Sequence, residues 1–345
     1  MATLTELTVA RADISEIAAH IHDRDLAPGE VLLAVERFAL TANNVTYAAH
    51  GVDFAYWQFW PAPEGRGIVP VWGFARAVES HAEDIGVGER FYGYWPMASH
   101  AVLLPGPVSR RGFDDMASHR QGLAAVYNRY VPASAEWGAE TIQCLFRPLY
   151  ATSFVLDAML SASPADVLLL TSASSKTALG LAQAARGRQR IVGLTSAANR
   201  AFCVATGYYD DVLDYDSIDE VAGMAVSLVD FSGNGAVRHA VHSHLGERLI
   251  ESHVVGDTHW QSEKGQPLPG VRPQPFFAPT IIADRVKEWG AQGYDARLLG
   301  AWQRFAATLS WLHVEEMRGP AAAARAWKSM AAGRIDPAMG LVISI

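Results

Sequence analysis

The spacing of hydrophobic positions changes character about 145 residues into the chain. Before that point, short apolar runs alternate with stretches rich in glycine, proline and polar residues, a pattern typical of antiparallel strands. We predict strands within residues 9–11, 30–40, 68–79 and 91–94, forming a mostly antiparallel, barrel-like domain. Residues 106–137 are polar and rich in arginine, which predicts a surface insertion or a linker.

The second part of the chain alternates helix-like segments with continuous apolar runs. Such runs are typical of parallel strands covered on both faces. Their alternation with helices predicts βαβ units around a parallel sheet. The predicted order is helix 145–160, strand 166–171, helix 177–185, strand 191–195, helix 199–206, strand 224–230, helix 235–245, strand 248–255, helices near 280–291 and 296–312, strand 312–316, helix 320–332 and strand 340–345.

Composition narrows the class of protein. The 345 residues are half hydrophobic and 19% charged, enough for two well-packed domains. A net charge of −8 argues against nucleic-acid or anionic-membrane partners. The chain has no apolar run long enough for a membrane span, and its first residues lack the features of a signal peptide. With only Cys144 and Cys203, which we interpret as buried apolar residues, we expect a reduced, cytoplasmic protein.

A strand-to-helix turn at residues 171–180 is the central candidate for cofactor binding. In a nucleotide-binding βαβ unit, this turn directs backbone N–H groups and a helix N-terminus at a pyrophosphate. The positions of the usual fingerprint glycines hold Ser175, Lys176 and Ala178, so the motif itself is weak. A Walker A interpretation fails because Leu170 and Ser175 stand where its glycines belong. Lys176 is either a phosphate contact or a solvated lysine. The candidate cofactor contacts here are Ser172, Ala173, Ser174, Ser175, Lys176 and Thr177.

The end of the next predicted strand bears on which nucleotide is bound. An Asp or Glu there would bond the ribose hydroxyls of NAD and repel a 2′-phosphate. This chain instead offers Ser196, Asn199 and Arg200, with no acid among residues 195–200. We therefore predict NADP(H), although Arg200 is also interpretable as an exposed residue of a first helical turn.

Several segments together resemble the zinc-independent, quinone-oxidoreductase-like branch of the medium-chain dehydrogenase/reductase superfamily. They are residues 42–44, the turn 85–93, the strand–turn–helix 168–185 and the closing helix and strand within 322–345. The segments 172–177, 256–260 and 276–279 resemble more closely the uncharacterised DUF2855 group.

This resemblance implies an α/β fold made of two domains. Residues 1–137 and 313–345 would form a GroES-like, mostly antiparallel β-barrel catalytic domain, and residues 138–312 a Rossmann NADP(H)-binding domain. It also implies a homodimer. On this basis we add Thr152, Phe231, Gly256 and Phe277 to the expected cofactor contacts.

Zinc ligands are missing from their usual positions in that superfamily. Asn43 and Asn44 stand near the expected first cysteine, and residues 71–74 (Val-Trp-Gly-Phe) near the expected Gly-His-Glu. We therefore expect no metal at the catalytic site. His239, His242 and His244 on a predicted helix do not have convergent spacing, and we interpret them as surface and cap residues.

Without zinc, hydrogen-bond donors must polarise the substrate oxygen. The candidate catalytic residues are Asn44, Tyr47, Tyr150 and His259, with Asn43 as a further donor; Tyr150 is also interpretable as packing. A candidate apolar or aryl substrate pocket comprises Trp57, Phe59, Tyr94, Trp95 and Trp260, which an ordinary core would also explain.

These features predict an NADPH-dependent reductase of a small enone, quinone or ketone with an apolar or aryl body. Two alternatives stay open. One is NADP-dependent oxidation of an alcohol, alone or coupled to carbon–carbon cleavage. The other is a non-catalytic NADPH-binding sensor or structural protein.

Overall fold

A computed structural model describes residues 1–255 and 268–345. The chain divides into two compact units, one formed by residues 1–145 with 312–345 and the other by residues 146–311. The boundary falls within a helix that starts at Glu140. Among the described helices, none is both long and apolar enough to cross a membrane.

The described elements are numbered here in chain order. The strands are β1 Ala2–Ala10, β2 Ile17–Arg24, β3 Val31–Leu40, β4 Arg66–Ile68, β5 Pro70–Ser80, β6 Arg90–Pro96, β7 His100–Leu103, β8 Phe113–Asp114, β9 Arg129–Pro132, β10 Val167–Leu170, β11 Arg190–Thr195, β12 Asp211–Asp214, β13 Val226–Asp230, β14 Leu249–Val254, β15 Gln274–Pro275, β16 His313–Arg318 and β17 Met339–Ser344. The α-helices are α1 Ala42–Ala49, α2 Glu140–Leu160, α3 Lys176–Ala185, α4 Ala197–Thr206, α5 Gly235–Leu245, α6 Ala278–Trp289, α7 Ala291–Ala306 and α8 Pro320–Ala331. Short 3-10 turns, such as Tyr56–Gln58 and Ala125–Tyr127, connect some of them.

The first unit is built on antiparallel sheets, as predicted. A three-stranded sheet has the order β2-β1-β4, and a larger sheet runs β16-β17-β3-β5-β6-β9-β8, with β7 also paired to β3. The β16–β17 pair is parallel and the other described pairs in this unit are antiparallel. The β3–β5 ladder shifts register next to Arg37. A Cβ on Gly73 would lie 2.0 Å from the Arg37 carbonyl oxygen, so this bulge requires glycine.

The prediction for residues 106–137 is wrong, because much of this segment is core. Phe113 and Tyr130 have no exposed surface, and Arg120 is 1% exposed. Arg120 is neutralised by buried Asp115, whose Oδ2 lies 2.9 Å from Nε. Its guanidinium also lies 4.2 Å from the centre of the Trp60 ring. An arginine-rich segment lies at the surface unless its arginines are paired with buried acids. The pairing of Arg120 with Asp115 does not follow from the order of residues along the chain.

The second unit is a parallel sheet with the order β12-β11-β10-β13-β14-β15. In order of occurrence along this unit the strands lie 3-2-1-4-5-6, which is the arrangement of a Rossmann dinucleotide-binding domain. Its central strands are fully covered, since Leu168, Leu169 and Leu170 have no exposed surface. The predicted α/β fold class is therefore confirmed. The predicted helices near 280–291 and 296–312 are confirmed as α6 and α7, although α7 ends at Ala306.

His242 lies in the core of this unit, so its interpretation as a surface residue is wrong. It has no exposed surface. Its Nδ1 donates to the Pro269 carbonyl oxygen at 3.0 Å, because a carbonyl can only accept, and this leaves Nε2 to accept from the Ser252 hydroxyl at 3.0 Å. The imidazole therefore forms hydrogen bonds with the Pro269 carbonyl and the Ser252 hydroxyl, both outside its own helix. The spacing of histidines along the helix does not reveal this role.

Candidate functional site

The strand order of the second unit reverses between β10 and β13. From β10, the chain proceeds to β11 and β12 on one side, and from β13 to β14 and β15 on the other. In open α/β sheets, ligands bind outside the carboxyl ends of the strands at this switch point. The segments that follow β10 and β13, residues 171–175 and 231–234, are therefore the candidate nucleotide site.

A buried carboxylate joins these two segments. Asp230, at the end of β13, has no exposed surface. Its Oδ1 accepts hydrogen bonds from the Thr171 hydroxyl at 2.6 Å and the Ser232 hydroxyl at 2.7 Å. Its Oδ2 lies 3.1 Å from Nη1 of Arg238 in α5. The Thr171 oxygen in turn accepts from the backbone N–H of Phe231 at 3.0 Å. The network fixes the positions of both segments, and sequence reasoning missed it because Asp230 and Arg238 carry no recognisable motif.

The turn after β10 is held by two tyrosines that follow α4. Ser172 has a φ of +47°, a conformation that costs a side chain more than it costs glycine. Its backbone N–H donates to the Tyr215 hydroxyl at 3.0 Å. The Tyr209 hydroxyl donates to the Ala173 carbonyl at 2.6 Å. Burial raises the pKa of both phenols, which therefore stay protonated. These contacts fix the strained turn in place without the fingerprint glycines.

Helix α3 opens directly from this turn. Ser175 is its N-cap, and its hydroxyl accepts from the Ala178 N–H at 3.3 Å. In any helix, the N–H groups of the first turn are directed away from the helix and not into its own hydrogen bonds. An N-terminus of this kind suits a phosphate. The Lys176 ammonium lies 5.8 Å from the centre of the Phe146 ring, so this lysine is half-buried and not freely solvated.

The glycine that permits close helix packing lies two positions beyond Ala178. A Cβ on Gly180 would approach the Ser153 hydroxyl oxygen of α2 to 2.6 Å. That hydroxyl donates to the Thr177 carbonyl at 2.8 Å, so α2 contacts the first turn of α3. Ser175 and Ala178 are compatible with the fold because the close approach is made at Gly180.

The residues predicted at the end of β11 lie at the N-cap and in the first turn of α4. The Asn199 side chain donates to the Ser174 hydroxyl at 3.0 Å, so the two predicted loops meet. Ser196 is the exposed N-cap of α4. Arg200 is exposed; its Nε donates to the Val212 carbonyl at 3.0 Å, and no ion pair is found for it among residues 1–255 and 268–345. An acid does lie one strand away, because Asp214 at the end of β12 pairs in register with Thr195.

Other predicted cofactor contacts are more scattered. Phe231 is buried directly after β13, whereas Phe277 precedes α6 and is 39% exposed. The Thr152 hydroxyl donates within its own helix to the Pro148 carbonyl at 3.5 Å. Gly256, together with the predicted site residues His259 and Trp260, lies outside the described residues.

Tyr150 has a packing role, which corrects its prediction as a catalytic residue. It is 2% exposed, its hydroxyl donates to the Ala301 carbonyl of α7 at 3.1 Å, and its ring stacks on Phe305 at 4.6 Å. The phenol proton therefore lies in a hydrogen bond within the second unit and is not offered to a substrate.

Four tyrosines of the first unit form a second candidate site, here called the tyrosine cluster: Tyr47, Tyr56, Tyr94 and Tyr127. The Tyr127 ring centre lies 4.6 Å from that of Tyr94 and 5.8 Å from that of Tyr56. The Tyr47 ring centre lies 4.6 Å from that of Tyr56 and 5.4 Å from that of Tyr94. Burial raises the pKa of all four phenols, so each keeps its proton at neutral pH.

Tyr47 is the cluster member with the best defined donors. Its hydroxyl oxygen accepts from Trp72 Nε1 at 3.2 Å and is also hydrogen-bonded to the side chains of Asn43 and Tyr127. Because Trp72 Nε1 can only donate, the Tyr47 oxygen is an acceptor there and its own proton is directed elsewhere.

Tyr94 has a fully buried hydroxyl with no hydrogen-bond partner among residues 1–255 and 268–345. Buried polar groups are nearly always paired, so an unpaired one marks a place where water or a ligand atom belongs. In the tyrosine cluster, that place lies beside the phenols of Tyr47 and Tyr127.

The remaining predictions for the first unit need correction. Asn44 is a cap and not a free donor: its oxygen accepts from the Thr41 N–H at 2.7 Å, and its amide donates to the Pro70 carbonyl at 2.8 Å. Trp95 is fully buried and donates to the Gly73 carbonyl at 2.9 Å. Trp57 is packed against Gly51 and Gly67, where added Cβ atoms would clash with its ring.

Phe59 borders the tyrosine cluster. Its ring centre lies 5.3 Å from that of Tyr94 and 5.5 Å from that of Tyr127. The described residues predicted to form the substrate pocket are all buried in the core of this unit, and two of them, Phe59 and Tyr94, lie next to each other in or beside the tyrosine cluster.

Neither cysteine is poised as a nucleophile. Burial raises the pKa of Cys203 to about 12, and it raises the pKa of Cys144 further. Both thiols stay protonated and have the small apolar role predicted for them.

Comparison with known proteins agrees with this architecture. Structures similar to this chain include CurA from Vibrio vulnificus (15% identity, TM-score 0.66, covering 99% of this chain and 98% of that one) and a mutant enoyl thioester reductase from Candida tropicalis (10% identity, TM-score 0.62, covering all of both chains). CurA in complex with NADPH is similar at 14% identity with a TM-score of 0.64, covering 99% of each chain. At these identities the likeness shows a common two-unit α/β fold.

Residues 38–336 match the family model described as a protein of unknown function, DUF2855. The chain therefore belongs to the DUF2855 family, which confirms the resemblance predicted from its motifs. No curated protein matches its sequence.

Proposed function

We propose that this protein is an NADP(H)-dependent oxidoreductase that reduces an enone, quinone or ketone with an apolar or aryl body. The observation that carries the proposal is the 3-2-1-4-5-6 sheet with a helix N-terminus at its switch point and an exposed arginine, Arg200, in the first turn of the helix that follows β11. The NADPH complex of CurA, which has the same fold, supports this choice of cofactor.

The second unit has the types of side chain and backbone donor that a dinucleotide needs. First-turn N–H groups of α3 and the hydroxyls of Ser172 and Ser174 offer donors for a pyrophosphate. Arg200 offers a cation for a 2′-phosphate, and Ser196 and Asn199 add hydrogen-bond donors beside it. Asp214 is the competing feature, since a carboxylate at this edge favours the free ribose hydroxyls of NAD.

The tyrosine cluster supplies the chemistry that an oxygen-bearing substrate needs. The cofactor, when bound, supplies hydride from its nicotinamide ring. Tyr47 would donate a hydrogen bond to a substrate oxygen bound at the tyrosine cluster and would pass its proton to that oxygen. Trp72 and Asn43 stabilise the resulting negative charge on Tyr47 because both contact its oxygen. Phe59 packs against Tyr94 beside Tyr47, so the surroundings of an oxygen bound at Tyr47 would be apolar and aromatic.

The cofactor assignment can be tested by fluorescence titration of the full chain with NADPH and with NADH. We expect tighter binding of NADPH, and Arg200→Ala should remove most of that preference by weakening NADPH alone. Arg190→Ala is a matched control, because Arg190 begins strand β11, away from the carboxyl end that leads to Arg200, and pairs with Asp211. Equal binding of both nucleotides by the wild type would contradict the 2′-phosphate assignment.

The reaction can be tested by following NADPH absorbance with a panel of enones, quinones and ketones. The reverse assay with NADP⁺ and alcohols tests for oxidation of an alcohol, with or without carbon–carbon cleavage. Tight NADPH binding without turnover in either panel would favour a non-catalytic NADPH-binding sensor or structural protein. Two features support that alternative: the replacement of the fingerprint glycines and the complete burial of Tyr94.

We expect the protein to act as a cytoplasmic homodimer. Light scattering after size-exclusion chromatography would measure its mass in solution.

A further inference from the structure

A compact group of metal-ligating side chains lies on the three-stranded sheet, apart from both candidate sites. Glu6 of β1 pairs directly with His20 of the antiparallel edge strand β2. His22 lies two residues further along β2 and so projects from the same face as His20. Diagonal neighbours across such a pair are within reach of long side chains, which brings all three residues together.

The ligand atoms converge on one point. The carboxylate oxygen Oε2 of Glu6 lies 3.4 Å from Nδ1 of His20 and 3.7 Å from Nδ1 of His22. One ligand atom from each residue lies within 4.8 Å of the others. Metal–ligand bonds of about 2.0–2.2 Å place tetrahedral ligands roughly 3.4 Å apart. Small rotations of the side chains would therefore complete the geometry, with no movement of the strands.

The local environment favours an ion over a simple hydrogen-bonded pair. The Glu6 side chain is only 16% exposed, and His22 is 34% exposed. Yet Nδ1 of His22 is shielded from solvent and makes no hydrogen bond among the described residues. A shielded nitrogen facing a carboxylate without bonding it is a group that lacks a partner, and a cation between the two would satisfy both.

We propose that Glu6, His20 and His22 bind a divalent transition metal of the class that prefers imidazole, such as Zn²⁺, with its remaining positions open to water. Two imidazoles and one carboxylate suit Zn²⁺, Co²⁺, Ni²⁺ or Cu²⁺, whereas Mg²⁺ and Ca²⁺ take oxygen ligands. The ion would clamp the edge strand β2 to β1. Because the three ligands come together only in the folded chain, metal binding would raise the melting temperature.

The test uses the full chain after treatment with a chelator. Calorimetric titration with Zn²⁺ should show one site, Co²⁺ should give the absorption of a nitrogen- and oxygen-ligated ion, and Zn²⁺ should raise the Tm. We expect His22→Ala and Glu6→Gln each to weaken Zn²⁺ binding at least about tenfold and to abolish the Tm shift. Both variants should keep the wild-type far-UV circular dichroism without metal, because the strand ladder does not depend on them.

His81→Ala is the control for adventitious binding by a lone histidine. His81 is 44% exposed and lies 3.4 Å from Glu79, so it has one imidazole beside one carboxylate. This variant should bind Zn²⁺ as the wild type does. The proposal is overturned if the wild type shows no Zn²⁺ site, if His22→Ala retains it, or if His81→Ala loses it. Equal binding of Mg²⁺ and Zn²⁺ would overturn the metal class.

Discussion

The hydroxyl of Thr171 donates a 2.6 Å hydrogen bond to the carboxylate of Asp230, and so links the ends of the two strands between which the strand order reverses. The same threonine oxygen accepts the N–H of Phe231, so the segment after β13 is fixed to the segment after β10. Preorganisation of this crevice therefore depends on a buried ion pair, since Arg238 balances the charge of Asp230.

Removal of this buried carboxylate should be costly. Asp230→Ala leaves Arg238, whose side chain is 17% exposed, without its counter-ion and also removes an acceptor from Thr171. We expect a loss of about 3–5 kcal/mol in the free energy of unfolding, measured by urea denaturation. The control Asp157→Ala breaks the more exposed pair with Arg188 and should cost at most about 1 kcal/mol. Similar losses for both variants would contradict the role assigned to Asp230.

The contact between α2 and α3 makes Gly180 intolerant of a side chain. In an exposed helix, Gly→Ala stabilises by up to about 1 kcal/mol, but here the new Cβ would lie 2.6 Å from the Ser153 hydroxyl. We expect Gly180→Ala to lower the free energy of unfolding by about 1–3 kcal/mol, the range for overpacking. Ser153→Ala removes the clashing oxygen, so the double variant should recover part of that loss. Additive losses in this double-mutant cycle would show that the two residues do not interact.

Ser172 stores backbone strain at the phosphate turn. Its φ of +47° is available to glycine without penalty, whereas a left-handed conformation costs other residues about 1–2 kcal/mol. We expect Ser172→Gly to retain or raise the melting temperature and Ser172→Val to lower it. If nucleotide phosphates are bound by the Ser172 hydroxyl, Ser172→Gly will also weaken NADPH in the fluorescence titration. An equal fall in Tm for both variants would show that the side chain matters more than the backbone.

The parts of the fold that follow from local pattern were predictable. Strand β10 is an unbroken apolar run, as expected of a central strand in a parallel sheet whose two faces are both covered, and the following polar turn marks its carboxyl end. Ser174 and Asn199 contact each other because the carboxyl ends of neighbouring parallel strands meet at one edge of the sheet, and their role as cofactor contacts stays a prediction.

The contacts that fix the candidate sites depend on distant pairs. Arg120 can be buried because Asp115 neutralises its charge. His242 can be buried because its ring donates to the Pro269 carbonyl and accepts from the Ser252 hydroxyl. Asn44 was predicted as a hydrogen-bond donor to the substrate from its position. Its side-chain amide instead accepts from the Thr41 N–H and donates to the Pro70 carbonyl. The pattern of apolar and polar residues gives the residue type at each position but not the distant residue that pairs with it, so such pairs do not follow from the sequence alone.

His242 should make stability depend on pH. Burial lowers the pKa of its imidazole below the usual value near 6.5. As the pH falls through 6.5, the unfolded chain gains a proton that the folded chain resists, so stability is complete above this pH and declines below it. We expect the urea midpoint of His242→Asn to change less between pH 7.5 and pH 5.5 than that of the wild type. His239→Asn on the same helix is the control and should follow the wild type. A steeper decline for His242→Asn would contradict the assignment.

Tyr47 is the residue on which the proposed chemistry depends most directly. Tyr47→Phe keeps the ring that packs against Tyr56 and Tyr94 but removes the hydroxyl that Trp72 and Asn43 contact. A proton donor of this kind contributes about 10²–10⁴-fold, so we expect kcat to fall by at least about a hundredfold. The Kd for NADPH should be unchanged because the nucleotide is assigned to the second unit.

The control for this substitution is Tyr130→Phe in the same unit. The Tyr130 hydroxyl donates to the Tyr94 carbonyl at 2.8 Å and is fully buried, so its removal affects stability and leaves the proposed proton donor intact. We expect Tyr130→Phe to lower the Tm with little change in kcat, and Tyr47→Phe to show the reverse. If Tyr47→Phe keeps kcat within about twofold on a substrate that the wild type reduces, the proton must come from another group, because no transition-state role is compatible with so small an effect.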